Sequence, residues 1–179
     1  MRSNVHVRTS RASVIAIAIG IALAGASSAS ADPADTAPAD PQAVDSAPDA
    51  VADGDVAATA CKQFSEALGY AASNYEDFAY NSAGGGNVVD YADPNVQSSN
   101  VTGRTALREA ASSAMNAAMT PGLPGDISAP MQSWSLHATK LLVIMGLHGG
   151  GDSLNDTATS LNTDANNAQM ACALAGTSA

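Results

Sequence analysis

The stretch Ile127–His148, ISAPMQSWSLHATKLLVIMGLH, decides the fold class. Its residues Ile127, Met131, Trp134, Ala138, Leu141, Met145 and His148 recur at alternating steps of four and three, which lines them along one face of an α-helix. The run Leu141–Leu147 is apolar on every face, so this helix is expected to be buried on more than one side. Asp126 or Ser128 is expected to cap it, Pro130 is tolerated in its first turn, and His148-Gly149-Gly150-Gly151 ends it.

Three further segments carry the same periodicity. From about Val56 to Asn81, the residues Cys61, Phe64, Leu68, Ala71, Tyr75 and Phe78 form a stripe, with Thr59 as the expected N-cap, Tyr70 and Tyr80 off the stripe, and Gly84-Gly85-Gly86 as the stop. A long connection follows, in which a short turn at Val89–Ala92 is expected to pack Tyr91 on the bundle. From about Val101 to Met119, capped by Ser99 or Asn100, the stripe is Leu107, Ala111, Ala114 and Ala118, with Arg104 and Arg108 on the outer face. Thr120–Gly125 is a double Pro/Gly turn. From about Ser153 to Ala175, capped by Asp152, it is Leu154, Ala158, Leu161, Ala165, Ala168, Cys172 and Ala175. Four stripes joined by such turns predict an all-α, four-helix, up-down-up-down bundle.

Cysteine placement gives an independent check. In that topology the start of the first helix and the end of the last meet at one end of the bundle. Cys61 and Cys172, the two cysteines of the chain, occupy those places on the apolar stripes. One structural disulfide is therefore expected. The pair has no histidine at ligand spacing for zinc, and no C-x-x-C is present for redox exchange.

Residues 1–31 have the three parts of a secretory signal: Arg2, Arg8 and Arg11, an apolar run Val14–Gly25, and Ala29-Ser30-Ala31 before Asp32-Pro33. The apolar run falls well short of the ~20 residues a membrane span needs, so cleavage by a Sec-type route is expected, with no transmembrane segment left behind. Residues 32–55 are Ala, Pro and Asp with no basic residue, a composition that buries too little apolar surface to offset ordering entropy. They read as a disordered linker, with sugar attachment at Thr36 or Ser46 the alternative. The bundle domain is thereby placed at 56–179. The formal charge of −10 becomes more acidic once the leader arginines are removed, which argues against nucleic acid and anionic lipid as partners.

Chemistry-bearing motifs are sparse. His148-Gly149-Gly150-Gly151 matches an esterase oxyanion tetrapeptide, but the G-x-S-x-G elbow is missing. Asp49, Asp53, Gly54 and Asp55 fail as a calcium loop, because Val51 holds a ligand position and Ala60 stands where the closing Glu belongs. Glu66, Glu76, Asp77 and Glu109 lie off the stripes and read as solvated. His137 and His148 stand eleven apart on one helix, about 16 Å by helix rise, and cannot share one metal. Each is a candidate haem ligand, with Tyr75 or Met145 as a partner and Trp134 beside them.

The leader ending Ala29-Ser30-Ala31-Asp32-Pro33, the Ala-rich helical body and the terminal cysteines resemble small exported proteins of mycobacteria and related actinobacteria. That resemblance implies a bacterial protein released to the cell envelope or beyond. The expectation is a non-enzymatic protein that binds an unknown protein or hydrophobic ligand, with a carrier of haem or another small apolar molecule as the alternative. No catalytic residue, metal or resident cofactor is expected.

Overall fold

In the computed structural model the described residues are 53–83 and 88–177, and among them the chain forms four helices and no strand. They are α1 (Asp53–Ser82), α2 (Pro94–Ala118), α3 (Gly125–Gly146) and α4 (Asp152–Leu174). The leader, residues 32–52 of the linker and the glycines 84–86 lie outside the described residues.

Helix α1 packs along α2, α2 along α3 and α3 along α4, whereas α1 and α4 touch over only a short segment. The stripes read from the sequence supply the core: Phe64, Phe78, Ile127, Met131, Trp134, Leu141 and Met145 are buried, with alanines such as Ala110, Ala114, Ala117, Ala138 and Ala168 between them. Small residues at the seams let the backbones approach closely. Phe64 meets Trp134 edge-on across the diagonal at 5.7 Å. Cys61 and Cys172 are bonded, with Cα atoms 5.9 Å apart and a sequence separation of 111.

Several boundaries differ from the sequence expectation. α1 begins at Asp53, inside the stretch assigned to the linker, so Thr59 is no N-cap. Its hydroxyl donates to the Asp55 carbonyl one turn back. α2 begins at Pro94, about two turns before Val101. Asp93 is its N-cap, its carboxylate accepting from the amides of Asn95 and Val96. Pro94 fits the first turn because the amide it lacks has no intrahelical acceptor there. Ser99 and Asn100 are thus buried inside the helix, and Asn100 Nδ2 donates to the Met145 carbonyl of α3 at 3.2 Å. Neither Asp126 nor Ser128 caps α3: Pro124 precedes it with no side-chain cap, and Asp126 lies in the first turn. Gly151, at φ 60°, takes the capping position before α4 in place of Asp152, and α4 ends at Leu174, leaving Ala175 exposed.

The apolarity of α3 also has a different meaning. Leu136, Val143 and Leu147 are 63%, 49% and 79% exposed, so the helix buries one side only. It sits at a corner between α2 and α4, and a corner helix has no third neighbour to cover its outer face. The buried stripe ends at Met145. His148 lies beyond the helix, exposed, in the left-handed region at φ 56°. Tyr91 packs on the bundle as expected, 6.2 Å from the Phe78 ring.

Candidate functional site

The disulfide ties α1 to α4 at one end, and beyond it the two helices part. Running away from Cys61, the α1 residues Leu68, Ala72 and Tyr75 stand opposite α4 residues Ala165, Leu161 and Ala158, counted back from Cys172. Seven to fourteen residues at 1.5 Å rise place this stretch about 10–20 Å from the bond. It lines an open groove of about 230 Å³. Its floor is the core itself, through Leu107 of α2 and Trp134 and Leu141 of α3. Ala71, Ala72, Ala158 and Ala165 are too short to bridge the gap, which is why it stays open. Asn162, Asn166 and Gln169 supply amides on the α4 side. Among the described residues no acidic or basic side chain lines it. The one titratable group there is the Tyr75 phenol, which burial pushes from 10.0 up to about 12, neighbouring Tyr91 adding to the shift.

Of the residues singled out from the sequence, the groove brings together Tyr75 and Trp134. Met145 is buried to one side, its methyl against the open face of Gly103. His137 lies outside the groove on the α3–α4 seam, its Nδ1 2.6 Å from Asp164 Oδ2. Ser133 Oγ donates to the same oxygen at 2.9 Å. In a nucleophile relay the serine bonds the ring nitrogen opposite the carboxylate. Here serine and histidine converge on one carboxylate oxygen, and the arrangement ties α3 to α4. His148 stacks on Tyr91 at 4.5 Å beyond the end of α3. Among the described residues no group of three His, Cys, Asp or Glu stands close enough to hold a metal ion, and no helix is long and apolar enough to cross a membrane.

Sequence reasoning missed the α4 amides Asn162, Asn166 and Gln169, because polar residues flanking an Ala stripe read as solvent-facing. It also missed Ser135, whose buried hydroxyl donates to the Ala111 carbonyl of α2 at 2.6 Å. Serines spaced through an apolar helix are the signal available for such a contact.

The model of one protein family, described as the Rv2240c four-helix bundle domain, matches residues 43–173, which take in α1–α3 and all of α4 but its last residue. No curated protein and no solved structure matches the chain.

Proposed function

The chain belongs to the Rv2240c four-helix bundle domain family, and we propose that it is a non-enzymatic binding protein whose α1–α4 groove holds a neutral, apolar ligand. The observation that carries this reading is an apolar groove between α1 and α4, which touch over only a short segment, with the buried core side chains Leu107, Trp134 and Leu141 beneath it. About 230 Å³ is below the ~300–1,000 Å³ of most small-molecule pockets, which favours a single alkyl or acyl chain over a macrocycle. The absence of lining charges favours a neutral chain, and the α4 amides suit a hydroxyl or ester at its end.

As a carrier of haem the groove is less suited. His137 and His148 lie off it, and the raised Tyr75 ionisation opposes the phenolate an iron ligand requires. Export to the cell envelope or beyond is part of the same reading. It is supported by the leader pattern of residues 1–31 and by a disulfide between the helix ends, a bond that persists in oxidising compartments.

Trp134, the single tryptophan of the chain, reports on the groove directly. Titration with a monoacylglycerol is expected to shift its emission saturably, and Ala165→Leu, which fills the groove, to abolish the shift while preserving the fold. An emission unmoved by ligand, or moved equally in the filled variant, would refute the reading. Native mass spectrometry of the exported protein identifies the resident molecule.

A second reading rests on the outer face of α3, where Leu136, Val143 and Leu147 expose apolar surface at steps of seven and four. A partner protein covering this face is expected to lose affinity on Val143→Ser with Leu147→Ser, while the groove titration is unchanged.

A further inference from the structure

At the end of the bundle opposite the disulfide, α2 carries a cation that the rest of the fold leaves unused. Arg104 was expected on the outer face of α2. It is half-buried, its Nε is fully buried, and that atom has no hydrogen-bond partner. The guanidinium lies flat over Gly146, where an added Cβ would stand 3.0 Å from Nη2. None of the twelve acids among the described residues pairs with it, and Asp164 instead lies against His137 Nδ1. A buried N–H without a partner has given up its water and gained no bond in return, which destabilises the fold.

The nearby end of α3 does not take up this cation. His148 N–H donates to the Met145 carbonyl and Gly149 N–H to the Ile144 carbonyl, the paired bonds that close a helix around a left-handed residue. Leu147 N–H donates to Val143, and Asn100 Nδ2 adds a second bond to Met145. The last carbonyls are satisfied without Arg104, and their residual negative charge is correspondingly reduced.

His148 is the second anomaly. The left-handed position is the place for glycine, and three glycines follow, yet a histidine holds it at φ 56°. A residue with a Cβ is strained in that region, because the Cβ crowds the carbonyl oxygen. Its ring is fixed by a stack on Tyr91, tilted by 16°, and Tyr91 is itself anchored by its hydroxyl, which donates to the Gly149 carbonyl at 2.7 Å. The neighbouring acids are engaged elsewhere. Asp93 caps α2, and Asp90 accepts from the Ala92 amide. Arg104 and His148 thereby border one depression of about 570 Å³, with Gln97, Ser98 and Thr102 on its α2 side.

We propose that Arg104 and His148 form a binding site for a phosphate ester, the guanidinium gripping two oxygens, the imidazole N–H a third, and the Gln97, Ser98 and Thr102 side chains the remaining polar body. A planar guanidinium fork matches phosphate geometry, and an unpaired arginine on an acidic protein is where such an anion is retained. This site is separate from the α1–α4 groove and stands or falls without it.

The test is amide NMR of the full chain, titrated at fixed ionic strength with inorganic phosphate and glycerol phosphate, alongside co-sedimentation with phosphatidylglycerol vesicles. Saturable shifts around Gln97, Arg104 and His148 with either soluble phosphate are expected. Arg104→Gln is expected to weaken binding about 10- to 100-fold. His148→Gly is the second variant: it is expected to keep or raise the melting temperature by relieving the backbone while weakening binding. Vesicle sedimentation lost in Arg104→Gln would place the phosphate on a lipid headgroup and still support the site. Absence of binding in every arm, or shifts indifferent to both variants, overturns it. So does a His148→Gly chain that is less stable and binds phosphate normally, since histidine would then be a packing residue.

Discussion

Tyr75 shows how one buried phenol couples the groove to pH. Its ionisation is raised from 10.0 to about 12 because burial disfavours the phenolate, and Tyr91 nearby adds to that. The folded value lies above the unfolded one, so the fold favours the neutral form. The contribution is fully present below about pH 10 and is lost as pH rises through about 12. A shift of about two units corresponds to about 3 kcal/mol. Denaturant unfolding of Tyr75→Phe from about pH 9 to about pH 12 is therefore expected to show a shallower alkaline loss of stability than the parent chain. Equal losses in the two would mean that Tyr75 ionises as freely folded as unfolded. Tyr75 was legible in the sequence as a stripe residue. Its place on a groove wall was not, because periodicity assigns a residue to a face and says nothing about what stands opposite.

The starts of α2, α3 and α4 are set by residues other than the caps expected from the sequence. Asp93-Pro94 falls within the long connection expected before α2, yet the pair is a strong start signal once Asp caps and Pro takes the first turn. The reading failed at Ser99 and Asn100, two good capping residues that instead pack inward on a helix already two turns long. Asp93→Ala is expected to cost about 1 kcal/mol, with hydrogen exchange rising selectively over residues 94–100. Loss of protection spread along all of α2 would contradict an end effect. Two glycines separate helix interior from helix end. At Gly103 an added methyl would meet Met145 Cε at 3.4 Å, ordinary contact, so Gly103→Ala is expected to raise stability by about 0.5–1 kcal/mol. At Gly149 it would stand 2.8 Å from Ile144 Cγ2 and 3.1 Å from the Ile144 carbonyl oxygen, so Gly149→Ala is expected to cost about 1–3 kcal/mol. Melting temperatures moving in opposite directions check the pair.

At the largest scale, the four helices of the described residues pack along three full seams and one partial one. The stripes were enough to predict the bundle and the Cys61–Cys172 bond, because both follow from which residues face inward and where the chain doubles back. The groove was hidden because it depends on how far apart α1 and α4 stand, a distance set by alanines on both sides that periodicity counts as core. The same geometry decides what the disulfide does. α4 is held to α3 along its length and by Ser133 and His137 on Asp164, whereas little besides the bond joins it to α1. Closing a loop with a sequence separation of 111 is worth up to ~4.7 kcal/mol through the unfolded chain, and that share of stability falls on every element equally. The local share falls on the α1–α4 seam alone. Reduction is therefore expected to lower global stability and, under native conditions, to raise hydrogen exchange first around Cys61 and Cys172, with the α2–α3 seam still protected. The floor of the groove would become wetter as the seam opens, and Trp134 emission would move to the red. Exchange that rises uniformly, with Trp134 unmoved, would mean that the α1–α4 seam holds without its bond and that the groove is bounded by packing alone.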